Sequence, residues 1–116
     1  MNNIEKIKTL KQLYTELLSL VEHGKDNNNY FRIKTRINDI IDGVNDVDIS
    51  EQNAETILKE IRKVHDDFYP PRGGLEDFAI WEYDSEGKYK FNDKLNQELD
   101  SITDKIWEIL KEYPDR

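Results

Sequence analysis

The chain of 116 residues contains no cysteine. Disulfides, thiolate nucleophiles and cysteine-based zinc sites are thereby excluded. Proline is scarce, at three residues, and two of them are adjacent, Pro70-Pro71, so helix-breaking is concentrated in one place. No apolar run approaches the ~20 residues of a membrane-spanning helix, and none has the form of a signal-peptide core. The expectation is a cytoplasmic protein without membrane contact. Histidine occurs only at His23 and His65, without zinc-protease spacing or the Glu-x-x-His pairs of di-iron bundles. Between Ile37 and Leu58 there is no basic residue at all.

What is present is charge and aliphatic side chains. Seventeen basic and 25 acidic residues leave a net charge of -8, and charged residues make up 36% of the chain. That balance argues against direct nucleic-acid binding, which needs Lys and Arg for the phosphates. Thirteen Ile and ten Leu are enough for one compact core, so residues 1–116 read as a single helical domain.

Apolar spacings of three and four recur in four segments. Residues 2–23 carry Ile4, Ile7, Leu10, Leu13, Tyr14, Leu17, Leu18, Leu20 and Val21, with Gly24 as a left-handed stop. Residues 29–42 carry Tyr30, Phe31, Ile33, Ile37, Ile40 and Ile41, with Gly43 as the stop. Ser50 is placed to cap a third helix over 51–68, bearing Ala54, Ile57, Leu58, Ile61, Val64, His65 and Phe68. Asn92 is placed to cap a fourth over 93–113, bearing Leu95, Leu99, Ile102, Ile106, Trp107, Ile109 and Leu110 and closed by Pro114. The fold class expected is mostly all-α, an antiparallel four-helix bundle.

Between the third and fourth helices lies a long excursion, residues 69–91, opening with Pro70-Pro71-Arg72-Gly73-Gly74. Alternation over 79–83 and 88–91, around Asp84-Ser85-Glu86-Gly87, fits a small β-hairpin. A short helix over 75–81 is the rival reading. Seven of the twelve aromatic residues fall within 68–91.

The sequence contains no arrangement that carries catalysis. Asp46, Asp48, Ser50 and Glu51 loosely suggest a calcium loop, but Glu51 stands where that loop needs Gly and Ile57 where it needs Glu. Gly73-Gly74 has no Lys-Ser/Thr sequel, so it is not a phosphate loop. His65 reads as a packed or hydrogen-bonded histidine at the core edge, and His23 as a favourable charge near a helix C-terminus. No enzyme activity, metal or cofactor is expected.

Charge is uneven along the chain: residues 1–38 balance at +3, 39–86 at -10 and 87–116 at -1. A run of carboxylates without bases is a solvated face in one reading and a field that steers a basic partner in the other. The candidate contacts are the acidic Asp39, Asp42, Asp46 and Asp48, and the anchors Tyr69, Arg72, Trp81 and Tyr83, since Tyr, Trp and Arg dominate interface hot spots.

Phe68-Tyr69-Pro70 together with Asp39 and Asp42 on the second helix resembles bacterial immunity proteins that neutralise nuclease toxins of the colicin type. In that family an acidic second helix sets specificity and paired tyrosines before a proline anchor the toxin. This chain has Phe68 where the first tyrosine stands, an additional proline and a longer segment before the last helix. The resemblance implies an immunity or inhibitor protein that occludes a basic toxin domain through an acidic and aromatic surface. Two other classes stay open: an acidic DNA-mimic inhibitor of phage type, and a structural or regulatory bundle that self-associates.

Overall fold

The computed structural model describes residues 1–69, 74–75 and 78–113. Pro70, Pro71, Arg72, Gly73 and Pro114 lie outside the described residues, and with them the expected anchor Arg72 and the expected stop of the last helix.

Helix α1 (Asn3–Val21) begins where the Asn2 side chain accepts a 2.8 Å hydrogen bond from the Glu5 backbone N–H. That bond satisfies one of the donors a helix start leaves unpaired. The three-and-four spacing then turns Ile7, Leu10, Tyr14, Leu17 and Val21 fully inward. Each such side chain contributes roughly 1.5–3 kcal/mol on burial. Around α1 pack α2 (Tyr30–Asn45), α3 (Ala54–Asp66) and α4 (Asp93–Leu110), and α2 also packs on α3. Strands β1 (Trp81–Tyr83) and β2 (Tyr89–Phe91) form a two-stranded antiparallel sheet between α3 and α4. The hairpin is therefore formed, and the described residues of the 75–81 stretch contain no α-helix. As expected, Asn92 caps α4, its Oδ1 accepting from the Leu95 N–H at 2.9 Å.

Three polar clips tie these elements. The Tyr30 hydroxyl donates to Glu22 Oε2 at 2.8 Å, while Lys34 reaches Glu22 Oε1 at 3.1 Å. The Tyr30 hydroxyl first, and Lys34 after it, hold the Glu22 carboxyl below its ordinary range. The Tyr113 hydroxyl donates to Asn3 Oδ1 at 2.7 Å and accepts from Lys6 Nζ at 2.9 Å, joining the two ends of the chain. Arg62 lies over the Trp107 ring and donates to the Leu110 and Tyr113 carbonyls, covering the C-terminal end of α4.

Several boundaries differ from the sequence reading. Gly24 is not left-handed, in contrast to Gly87, which has a positive φ. Gly24 instead admits the ring of Phe78, whose Cζ would lie 2.4 Å from a Cβ at that position. Helix α2 runs through Gly43 to Asn45, because the Asp46 N–H still reaches the Asp42 carbonyl at 3.0 Å. Helix α3 starts three residues later than expected, and Ser50 makes no side-chain cap. The turn before it is held by Asn53, which accepts from the Ser50 N–H and donates to the Asp48 carbonyl. Phe31 points outward at 76% exposure, since adjacent helical residues diverge by ~100° and Tyr30 takes the inward position.

Candidate functional site

Side chains alternate across a strand, so Trp81 and Tyr83 share one face of β1 while Glu82 takes the other. The register pairs Trp81 with Phe91, Glu82 with Lys90 and Tyr83 with Tyr89. One face of the hairpin is thus wholly aromatic. Trp81 stacks on Tyr89 at 5.7 Å between ring centroids, meets Phe91 edge-on at 5.7 Å, and Tyr83 leans on Tyr89 at 5.1 Å.

This aromatic face is turned to solvent. Trp81, Tyr83, Tyr89 and Phe91 are 44%, 71%, 47% and 44% exposed. It is the polar side that meets the helices. Glu82 Oε1 lies 2.6 Å from His23 Nδ1, and its Oε2 accepts from Asn92 Nδ2 at 3.2 Å. Buried Asn96 holds the start of the strand: its Oδ1 accepts from the Ile80 N–H and its Nδ2 donates to the Ile80 carbonyl, both at 2.9 Å. Asn96 Nδ2 also donates to the Asn92 carbonyl at 2.7 Å.

The tip has the chemistry the sequence suggested. The Gly87 N–H donates to the Asp84 carbonyl at 3.0 Å, and Gly87 takes φ +79°. A left-handed residue at this place suits glycine and matches the twist of the strands. Asp84 Oδ1 accepts from the N–H groups of Glu86 and Lys88, both at 2.9 Å, while Lys90 sits 3.0 Å from Oδ2. These bonds, the Lys88 N–H foremost, hold the Asp84 carboxyl below its ordinary range.

The expected contact residues fall in three places. Trp81 and Tyr83 belong to the hairpin face. Tyr69 lies elsewhere, edge-on to the His65 ring at 5.4 Å, in a shallow cleft shared with Asp66, Thr103, Asp104 and Trp107. Its neighbour Phe68 is buried, so of the aromatic pair only Tyr69 reaches the surface. Asp39, Asp42, Asp46 and Asp48 are exposed along the second half of α2 and the turn after it. Asp39 pairs with Arg36 at 3.4 Å; Asp42, Asp46 and Asp48 have no ion pair among the described residues.

The aromatic and acidic groups do not converge. Asn29, at the start of α2, shares a cleft with Trp81 and Tyr89. Asp42 follows thirteen residues later, about 20 Å along the helix axis. The hairpin therefore sits at one end of α2 and the unpaired carboxylates near the other.

Sequence reasoning passed over Tyr89 and Phe91 as contact residues, and Glu82, His23 and Asn96 as supports. Counting outward from the Asp84–Gly87 turn would pair Tyr83 with Lys88; the Asp84 N–H bonds the Lys88 carbonyl instead, and this one-residue offset brings Tyr89 and Phe91 opposite Tyr83 and Trp81. No local signal marks Asn96, which looks like one more polar residue on an amphipathic helix. His65 is buried among Tyr14, Phe68 and Tyr69, in keeping with a packed histidine. Among the described residues no three His, Asp or Glu side chains gather as a metal-binding set, and no helix is long and apolar enough to cross a membrane. No protein-family model, curated protein or solved structure matches the chain.

Proposed function

We propose that this protein is a non-enzymatic binding protein of the inhibitor or immunity kind, which blocks a basic toxin domain. The observation that carries the reading is the outward aromatic face of the hairpin. Four clustered rings left in water are costly unless a partner covers them, and Trp and Tyr supply large contact area with little conformational entropy to lose. Trp81 and Tyr83, with Tyr89 and Phe91, are the contact residues in this reading. The unpaired Asp42, Asp46 and Asp48 act at longer range, raising the encounter rate with a positively charged partner. The four helices serve as the rigid base, taken as an antiparallel bundle; the packing of α1 against the other three supports that arrangement.

The test is genetic and then biochemical. The genes flanking the one for this chain are expressed in a bacterial host, alone and together with it. One product is expected to be toxic alone, tolerated with the chain present, and recovered in complex with it. Replacing Trp81 and Tyr83 by Ala should abolish protection while the melting temperature holds. Absence of any toxic neighbour, or full protection by the folded double variant, would count against the reading. Capture of DNA-binding proteins through the carboxylates alone would favour DNA mimicry instead.

A further inference from the structure

A second surface, away from the hairpin, lies between α2 and α3. The two helices leave an open groove of about 250 Å3. Its floor is aliphatic: Ile40 and Val44 from α2, Ile57 and Ile61 from α3, closed at the ends by Val47 and Val64. Val47 is 42% exposed, and a Cβ added to Gly43 would meet nothing within 4 Å. The helix thus carries its one side-chain-free position in the lining of the groove, at a place where glycine lowers helix stability.

The two rims differ in charge. Asp39, Asp42 and Asp46 follow a three-and-four spacing that sets them on one side of α2, and Asp39 itself lines the groove. Across the groove Glu60, which lines it, is paired with Lys63 at 3.5 Å. Asp39 is paired with Arg36 of the same helix at 3.4 Å, so the net negative charge of the α2 side rests on Asp42 and Asp46, which have no ion pair among the described residues, while the α3 rim is close to neutral.

Length sets a further limit. From Thr56 to Val64 the α3 wall extends about 12 Å, and apolar anchors at i and i+7 of a docked helix lie about 10.5 Å apart. We propose that this groove docks an amphipathic helix of a partner protein, with apolar side chains at i, i+3 or i+4 and i+7 and Lys or Arg on the edge over α2. Apolar anchors enter the groove as in other helix-in-groove complexes, and the cations meet Asp39, Asp42 and Asp46.

The probe is a synthetic helical peptide with leucine at those anchor positions and lysine along one edge, titrated into the isotopically labelled full chain. Amide shifts are expected at Ile40, Gly43, Val47, Ile57 and Val64. The Gly43→Leu variant should fill the groove without strain and weaken binding about tenfold or more. Asp42→Lys with Asp46→Lys, on the surface, should weaken it several-fold at low salt, and Trp81→Ala should leave it unchanged. Shifts centred on the hairpin would overturn the proposal. So would unchanged affinity in Gly43→Leu, or equal binding of a peptide with glutamate in place of lysine. Concentration-dependent self-association abolished by Gly43→Leu would assign the groove to a second copy of this chain and also overturn it.

Discussion

The Tyr14 hydroxyl and His65 Nδ1, 51 positions apart in sequence on α1 and α3, lie 2.8 Å from each other in the interior. Burial pushes the Tyr14 phenol well above its ordinary value, so it stays protonated. Burial, with a smaller contribution from the Arg62 guanidinium, holds His65 down at about 4 against an ordinary 6.5. The imidazole is therefore neutral in the folded protein, and its Nε2 has no hydrogen-bond partner among the described residues.

This pair makes stability depend on pH. The folded pKa is depressed, so between about 6.5 and about 4 the unfolded chain binds the proton and the folded one does not. Stability is complete above pH 6.5 and falls progressively by about 3 kcal/mol as pH drops through 4. Urea unfolding at intervals from pH 7.5 downward reads this slope. His65→Asn, which retains a partner for Tyr14 but cannot titrate, should flatten it. An equal slope in the variant would place the linkage on other groups.

Gly24 and Phe78 make a second test. A methyl group at position 24 would fall 2.4 Å from Cζ and 2.9 Å from Cε1 of a buried ring. Gly24→Ala should cost about 1–3 kcal/mol by overpacking. Gly24→Ala combined with Phe78→Leu should cost less than the sum of the two single changes, because the smaller side chain relieves the clash. Thermal melts of the single and double variants decide it; strict additivity would mean that the ring yields freely.

Asn96 should prove a positioning residue for the hairpin. Removing its amide leaves the Ile80 N–H without its acceptor in a buried setting. Asn96→Ala is expected to lose about 2–3 kcal/mol and to speed hydrogen exchange at the hairpin amides more than in α1. A loss under about 0.5 kcal/mol with unchanged exchange would show that β1 is held by other contacts.

The aromatic and acidic surfaces should separate kinetically once a partner is in hand. Tyr83→Ala, at a side chain 71% exposed, should leave the melting temperature almost unchanged. If Tyr83 is an anchor, it should raise the off-rate and cost about 2 kcal/mol or more. Asp39, Asp42 and Asp46 reversed to Lys should lower the on-rate, and added salt should do the same for the wild type, because the Debye length is only ~10 Å at 0.1 M. Salt-independent association in the wild type would remove the steering role.

Much of this protein was decided locally and could be read from its residues. Apolar spacing defined the four helical segments, Asn92 marked the start of the last helix, and Asp84 with Gly87 marked the hairpin turn. Each depends on neighbours within a few positions, where backbone sterics and short hydrogen bonds govern. The orientation of the hairpin was not decided there. Alternation placed Trp81 and Tyr83 on one face, but which face meets water follows from Glu82 reaching His23, 59 residues away, and from Asn96 clasping Ile80. The place of Gly24 depends likewise on Phe78, and the distance between carboxylates and rings on the hairpin lying beside Asn29, at the start of α2. Such contacts join residues whose types carry no mark of each other, so only the folded chain selects them.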